Sequence, residues 1–140
     1  MRKKVLLIDD EEHFRNSVKI ALKREGIQVT DEQDGSDGLR NIILSMATGN
    51  LYDLIILDIM MPGLTGIDIL EFFIQNELSI PVIVVTGYMD YDLRFFCSNI
   101  KKIKVMEKPF SHDKLVSQVL EMLKTEGTAT NSGGRDGLYQ

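Results

Sequence analysis

Polar side chains follow four short strand-like segments of the sequence: Asp9-Asp10, Asp58, Thr86 and Lys108. Brought together they would supply three carboxylates, one hydroxyl and one ammonium. Two like charges about 4 Å apart repel by about 4 kcal/mol at an effective dielectric near 20, so a carboxylate trio needs an offsetting charge. A hard divalent cation provides one, because Mg2+ prefers carboxylate oxygens and water. Lys108 would add a second positive charge. The set reads as a Mg2+ site with one carboxylate available as a nucleophile. Taken singly, each piece is weak. Paired aspartates after a strand serve as readily as loop residues or a helix N-cap. Thr86-Gly87 is an ordinary strand-to-turn pair. Pro109 marks a cis-proline candidate or simply a turn. The chemistry rests on all four places meeting.

That meeting depends on the elements that carry them. Short apolar runs alternate with segments of helical periodicity, the pattern of an α/β protein with a parallel sheet. Strands are expected at 4–9, 27–31, 53–58, 80–86 and 103–107. The first helix turns Phe14, Val18, Ala21 and Leu22 inward and stops at Gly26. The second places Leu39, Ile42, Ile43 and Met46 on one face and ends near Gly49-Asn50. The third follows Pro62-Gly63 with Ile67, Leu70 and Ile74 inward. The fourth covers about 89–100, where Phe95 and Phe96 are both expected in the core. The fifth carries Leu115, Val119, Met122 and Leu123 behind Ser111 as N-cap.

The strands are of two kinds. The first, third and fourth are unbroken apolar runs, so helices should cover both of their faces. The second and fifth alternate polar with apolar residues, as sheet edges do. Right-handed crossovers then give the order 2-1-3-4-5. The expected fold is a flavodoxin-like, doubly wound, five-stranded parallel sheet with helices on both faces. In such sheets ligands bind at the carboxyl ends of the strands, near the point where strand order reverses. Here that point lies between the first and third strands, and the four polar places sit at strand ends around it.

Composition limits the alternatives. The chain has 140 residues, 44% hydrophobic and 26% charged, enough for one compact domain with a core. No apolar run approaches the roughly 20 residues that span a bilayer. Met1-Arg2-Lys3-Lys4 briefly imitates a signal peptide, but Asp9 to Glu12 follow at once, and a cytoplasmic location is expected. The single cysteine, Cys97, reads as a buried structural thiol. A net charge of -5 argues against nucleic-acid binding by this chain, and Lys101, Lys102 and Lys104 read as a solvated edge. Residues 1–125 read as one domain, and 126–140, rich in Gly, Ser and Thr, as a flexible tail or linker stub.

Val5-Leu6-Leu7-Ile8-Asp9-Asp10-Glu11-Glu12 resembles the first motif of response-regulator receiver domains, and Leu57-Asp58-Ile59-Met60-Met61-Pro62-Gly63-Leu64-Thr65-Gly66 resembles their phosphorylation-site motif. Val84-Val85-Thr86-Gly87 and Glu107-Lys108-Pro109-Phe110 match the two remaining signatures. The resemblance covers residues 4 to about 124. It implies that Asp58 accepts a phosphoryl group from a histidine kinase or histidine phosphotransfer protein. It implies Mg2+ held by Asp10, Asp58 and the Met60 carbonyl, with Asp9 acting largely through water. Lys108 would pair with a phosphoryl oxygen. Thr86 would move to bind the phosphoryl group and switch a surface around the fourth helix, fifth strand and fifth helix. A downstream output protein or attached domain would read that surface, and the resemblance allows a homodimer formed on phosphorylation. No membrane partner is expected.

Two departures from the family pattern stand out. Val105 occupies the switch position that usually holds an aromatic residue. Met60 and Tyr88 occupy positions that tune dephosphorylation in the family, and two bulky side chains there imply restricted hydrolysis. Three rival readings fit less well. A haloacid-dehalogenase-type phosphohydrolase needs a second aspartate where Met60 stands. A flavin-binding module needs a Ser/Thr/Gly-rich phosphate loop where Asp9 to Glu12 would repel the phosphate. A binding-only pseudo-receiver would keep the fold without the phosphorylation cycle, and Val105 is its best support.

Overall fold

The computed structural model describes residues 2–127. Its elements alternate without exception: β1 (Lys4–Ile8), α1 (Glu12–Arg24), β2 (Gln28–Glu32), α2 (Gly35–Thr48), β3 (Leu54–Asp58), α3 (Gly66–Gln75), β4 (Val82–Thr86), α4 (Tyr91–Ser98), β5 (Ile103–Glu107) and α5 (His112–Gly127). All strand pairings are parallel, in the order β2-β1-β3-β4-β5. The flavodoxin-like fold expected from the pattern is the fold observed.

Strand periodicity divides the core in two. Leu6, Ile8, Ile55, Leu57, Val82 and Val84 face α2, α3 and α4, where Ile42, Ile69, Leu70, Phe73 and Leu93 meet them. Val5, Leu7, Leu54, Ile56, Ile83 and Val85 face α1 and α5, against Val18, Leu22, Leu115, Val119 and Leu123. Side chains alternate across a strand, so an unbroken apolar run fills both layers. Truncating one of these buried leucines or isoleucines to Ala costs about 2–5 kcal/mol. The edge strands behave as their alternation implies, with β2 partly exposed along its length and β5 buried only at Ile103 and Met106.

Several local expectations are corrected. β1 ends at Ile8, which leaves Asp9 beyond the strand with its N–H donating to the Glu32 carbonyl. β2 begins one residue late, because Ile27 packs into the core as the chain turns out of Gly26. β3 starts at Leu54, and β4 starts only at Val82, after Pro81. α4 is shorter than 89–100, starting behind an Asp90 cap and closing at Asn99. On α2, Ile43 points to solvent. The buried track is Gly35, Gly38, Ile42 and Ser45, and at about 100° per residue the next position rotates outward. On α3 the buried track is Gly66, Ile69, Leu70 and Phe73, which puts Ile67 and Ile74 at its margins. Phe95 is 61% exposed, whereas Phe96 packs against the core and meets the Phe95 ring edge-on at 5.4 Å. Cys97 is half-buried rather than buried, and what burial it has pushes its thiol pKa up.

Helix ends follow their sequence signals. Thr65 and Asp68 form a reciprocal capping box at the start of α3, Asp34 and Asp90 cap α2 and α4, and Ser111 accepts from the Lys114 N–H at α5. α5 runs to Gly127, into the first residues of the expected tail, and 128–140 lie outside the described residues. Among the described residues, no helix is long and apolar enough to cross a membrane.

Candidate functional site

β1 and β3 are neighbours in the sheet, with Ile8 paired to Leu57. Asp9 and Asp10, just past the end of β1, therefore come beside Asp58, the last residue of β3. One carboxylate oxygen from each of the three lies within 4.8 Å of the others. Burial differs among them. Asp9 and Asp58 are 1% and 4% exposed, while Asp10 is at the surface. Thr86 ends β4 and is buried, and Lys108 follows β5 with its ammonium 3.8 Å from Asp9 Oδ2. All five side chains expected at the rim thus reach one end of the sheet.

The electrostatics record the crowding. Burial, reinforced by the charge of Asp9, pushes the Asp58 carboxyl from 3.8 up to about 7, against the pull of Lys108 and the Met60 N–H. Burial likewise raises Asp9, opposed by the Glu11 N–H and Lys108. Asp58 Oδ1 accepts from the Met60 N–H at 3.2 Å, and Asp9 Oδ1 from the Glu11 N–H at 2.8 Å. Asp9 Oδ2 is buried with no hydrogen-bond partner among the described residues, since Lys108 stands beyond hydrogen-bonding length. A buried carboxylate oxygen left in this condition, beside two more carboxylates, suits a hard cation. The residues present therefore fit Mg2+.

The remaining expected positions surround this group. The Thr86 hydroxyl donates to the Tyr88 carbonyl at 2.9 Å. Met60 and Tyr88 are each 69% exposed, on the loops that leave β3 and β4. Val105 is half-buried in β5 and packs against the layer beneath α4. The Lys108-Pro109 peptide is cis.

Sequence reasoning assigned no role at the site to four supporting residues. Arg15 Nη1 donates to the Asp9 carbonyl at 2.9 Å while its Nε meets Asp31 at 3.0 Å, which braces the turn after β1. Asp31 itself is desolvated, yet hydrogen bonds from Lys19 and Arg15 outweigh this and hold its carboxyl below the usual range. Gly66 packs so closely that a Cβ there would lie 2.5 Å from the Asp58 carbonyl oxygen. Phe14, read as a core residue, also places its ring 5.2 Å from the Lys108 ammonium. Helical periodicity marks Phe14 as inward but is silent on its polar neighbour.

Comparison with known proteins agrees with this arrangement. The sequence matches the response regulator receiver domain family over residues 5–120. The transcriptional regulatory protein YkoG of Bacillus subtilis is 28% identical over 130 residues, covering 93% of this chain and 55% of the relative. The response regulator ArlR of Staphylococcus saprophyticus is 29% identical over 123 residues, covering 88% and 53%. The chain thus spans about half the length of these relatives. Among solved structures, the signal receiver domain of a Luxo repressor protein from Vibrio parahaemolyticus superposes with a TM-score of 0.76 at 26% identity, covering 96% of this chain and 100% of that one. The response regulator TrrA of Thermotoga maritima, solved in complex with Mg(2+)-BeF, gives a TM-score of 0.68 at 29% identity, covering 86% and 98%. With four signature motifs meeting at one sheet end and the family match spanning most of its length, the chain belongs to the response regulator receiver domains of two-component signalling systems.

Proposed function

We propose that this receiver domain, residues 1–125, takes a phosphoryl group onto Asp58 and uses the change to switch its signalling surface. The observation that carries this is the convergence of the Asp9, Asp10 and Asp58 carboxylates within 4.8 Å, with Lys108 beside them. Asp58 is the nucleophile. One of its carboxylate oxygens bonds to phosphorus as the phosphorus–nitrogen bond of a phosphohistidine breaks, and the freed imidazole leaves with its electron pair. The donor is a histidine kinase or a histidine phosphotransfer protein. Asp58 reacts as the anion, so its raised pKa must be offset before attack. Asp10, Asp58 and the Met60 carbonyl would hold Mg2+, with Asp9 acting largely through water. When bound, Mg2+ supplies positive charge against the acidic rim and the phosphoryl oxygens. Lys108 contributes a mobile ammonium to a phosphoryl oxygen, and the rest of the work is positioning and electrostatics.

Thr86 would carry the signal onward. Its hydroxyl must release the Tyr88 carbonyl to reach a phosphoryl group on Asp58, which biases the surface of α4, β5 and α5. An output protein or attached domain then reads that surface, and two phosphorylated copies pair through it. A cytoplasmic location goes with a kinase donor. The same cycle includes slow loss of the phosphoryl group, with Met60 and Tyr88 restricting water.

Intact-protein mass spectrometry after incubation with acetyl phosphate and Mg2+ tests the proposal. One phosphoryl adduct is expected, absent in Asp58→Ala and on chelating the metal. A folded protein that gains no adduct from acetyl phosphate or from a phosphorylated histidine phosphotransfer protein would instead be a binding-only pseudo-receiver.

A further inference from the structure

The Lys108 ammonium lies near two unlike groups. Asp9 Oδ2 stands at 3.8 Å, an ion pair too long for a hydrogen bond. The Phe14 ring centroid stands at 5.2 Å, inside the range over which an aromatic face attracts a cation. The ring itself is anchored. It meets Phe110 edge-on at 6.2 Å and an interplanar angle of 77°, and lies 6.2 Å from the His112 ring at 31°. Phe14 and Phe110 both pack against the core layer under α1 and α5. A lysine head is a compact charge on a flexible stem, and no planar fork fixes its direction. The long contact with Asp9 does not fix the direction of that head, and the ammonium also lies over the Phe14 ring.

We propose that Phe14 is a positioning residue for phosphoryl transfer. Its ring holds the Lys108 ammonium at the acidic rim, within reach of the group arriving at Asp58, before any phosphoryl oxygen is there to attract it. This rests on the role given to Lys108 above. An aliphatic side chain of similar bulk would fill the same space between α1 and α5 without attracting the ammonium. Holding the cation therefore depends on the ring and not on apolar volume alone.

The test is a double-mutant cycle on the full chain with acetyl phosphate and Mg2+, following adduct formation by intact-mass spectrometry. Phe14→Leu is expected to slow the reaction about two- to fivefold, and Phe14→Tyr, which keeps a ring, to restore it. In a Lys108→Ala background, Phe14→Leu should cost nothing further. Thermal melts check that each variant folds. A second readout needs no reaction: the ring shifts the Lys108 side-chain methylene resonances upfield, and Phe14→Leu should abolish that shift while Phe14→Tyr keeps it. Equal slowing with and without Lys108, or methylene resonances indifferent to Phe14→Leu, would reduce Phe14 to a packing residue. A wild type that forms no adduct, from acetyl phosphate or from a phosphorylated histidine phosphotransfer protein, would sink the function proposed for Asp58 and the positioning role with it. A reactive wild type with an additive cycle would sink the positioning role alone.

Discussion

The hydroxyl of Thr86 donates to the backbone carbonyl of Tyr88 at 2.9 Å and accepts from the Tyr88 N–H at 3.1 Å. Both bonds are local to the loop that leaves β4, and the residue is fully buried. A buried hydroxyl released from this pair must find a new acceptor, because leaving it unsatisfied costs about 1–3 kcal/mol. A phosphoryl oxygen on Asp58 is such an acceptor. Thr86→Ala is therefore expected to uncouple the loop from the site. In amide NMR spectra, the changes that acetyl phosphate produces across α4 and β5 should shrink markedly. Changes as large as in the wild type would assign the switch to another residue.

The pH dependence of stability follows from Asp58. An unfolded aspartate loses its proton near 3.8, whereas the native carboxyl keeps it to about 7. Between those values the native state binds more protons, so stability falls as pH rises, and the penalty is complete above pH 7. Asp9 is shifted in the same direction. In the metal-free protein, Asp58→Asn should add about 1–3 kcal/mol at pH 8 and little at pH 4, read from urea melts in chelator. Mg2+ should stabilise the wild type at pH 8, by about 2.7 kcal/mol at a hundred times its Kd, and the Asn variant much less. A gain from Asp58→Asn that does not change with pH would contradict this assignment.

Met60 and Tyr88 leave the two loops nearest Asp58 and Thr86, and both expose most of their side chains. Neither side chain is a general base, and the proposed cycle has both restrict the approach of water. Exchanging them for groups that orient water, in the double variant Met60→Asn with Tyr88→Glu, should shorten the phosphorylated lifetime on the order of tenfold. The decay of the adduct after removal of acetyl phosphate measures this. A fast loss in the wild type, unchanged in the variant, would show that these positions do not limit hydrolysis.

Gly66 opens α3 against the backbone of Asp58. A Cβ there would stand 2.5 Å from the Asp58 carbonyl oxygen and 2.7 Å from the Ile59 Cα, both backbone atoms that cannot rotate aside. Gly66→Ala should therefore destabilise the fold by about 1–3 kcal/mol and slow adduct formation, because relief of the clash displaces the nucleophile. Chemical denaturation and the acetyl phosphate assay give the two numbers. Near wild-type values in both would mean that the start of α3 shifts without moving Asp58.

Strand character was legible from the residues alone. Runs such as Val5 to Ile8 and Val82 to Val85 have no polar face to offer water, so they must lie inside the sheet, and alternation at β2 and β5 leaves those strands only the edges. That order by itself places Asp9, Asp10, Asp58, Thr86 and Lys108 at one sheet end. Element ends and helix faces were less legible. Ile43 and Phe95 are as apolar as their buried neighbours, and only the packed neighbours of α2 and α4 decide which side chain turns inward. What tertiary structure alone decided is the state of each group at the rim. Whether Asp9 lies buried with an oxygen that no described residue hydrogen-bonds, while Asp10 meets solvent, depends on how the turn after β1 is braced by Arg15 and Asp31. That Lys108 lies against Phe14 depends on α1 and the loop after β5 meeting across the end of the sheet, a contact between residues far apart in sequence for which periodicity carries no signal.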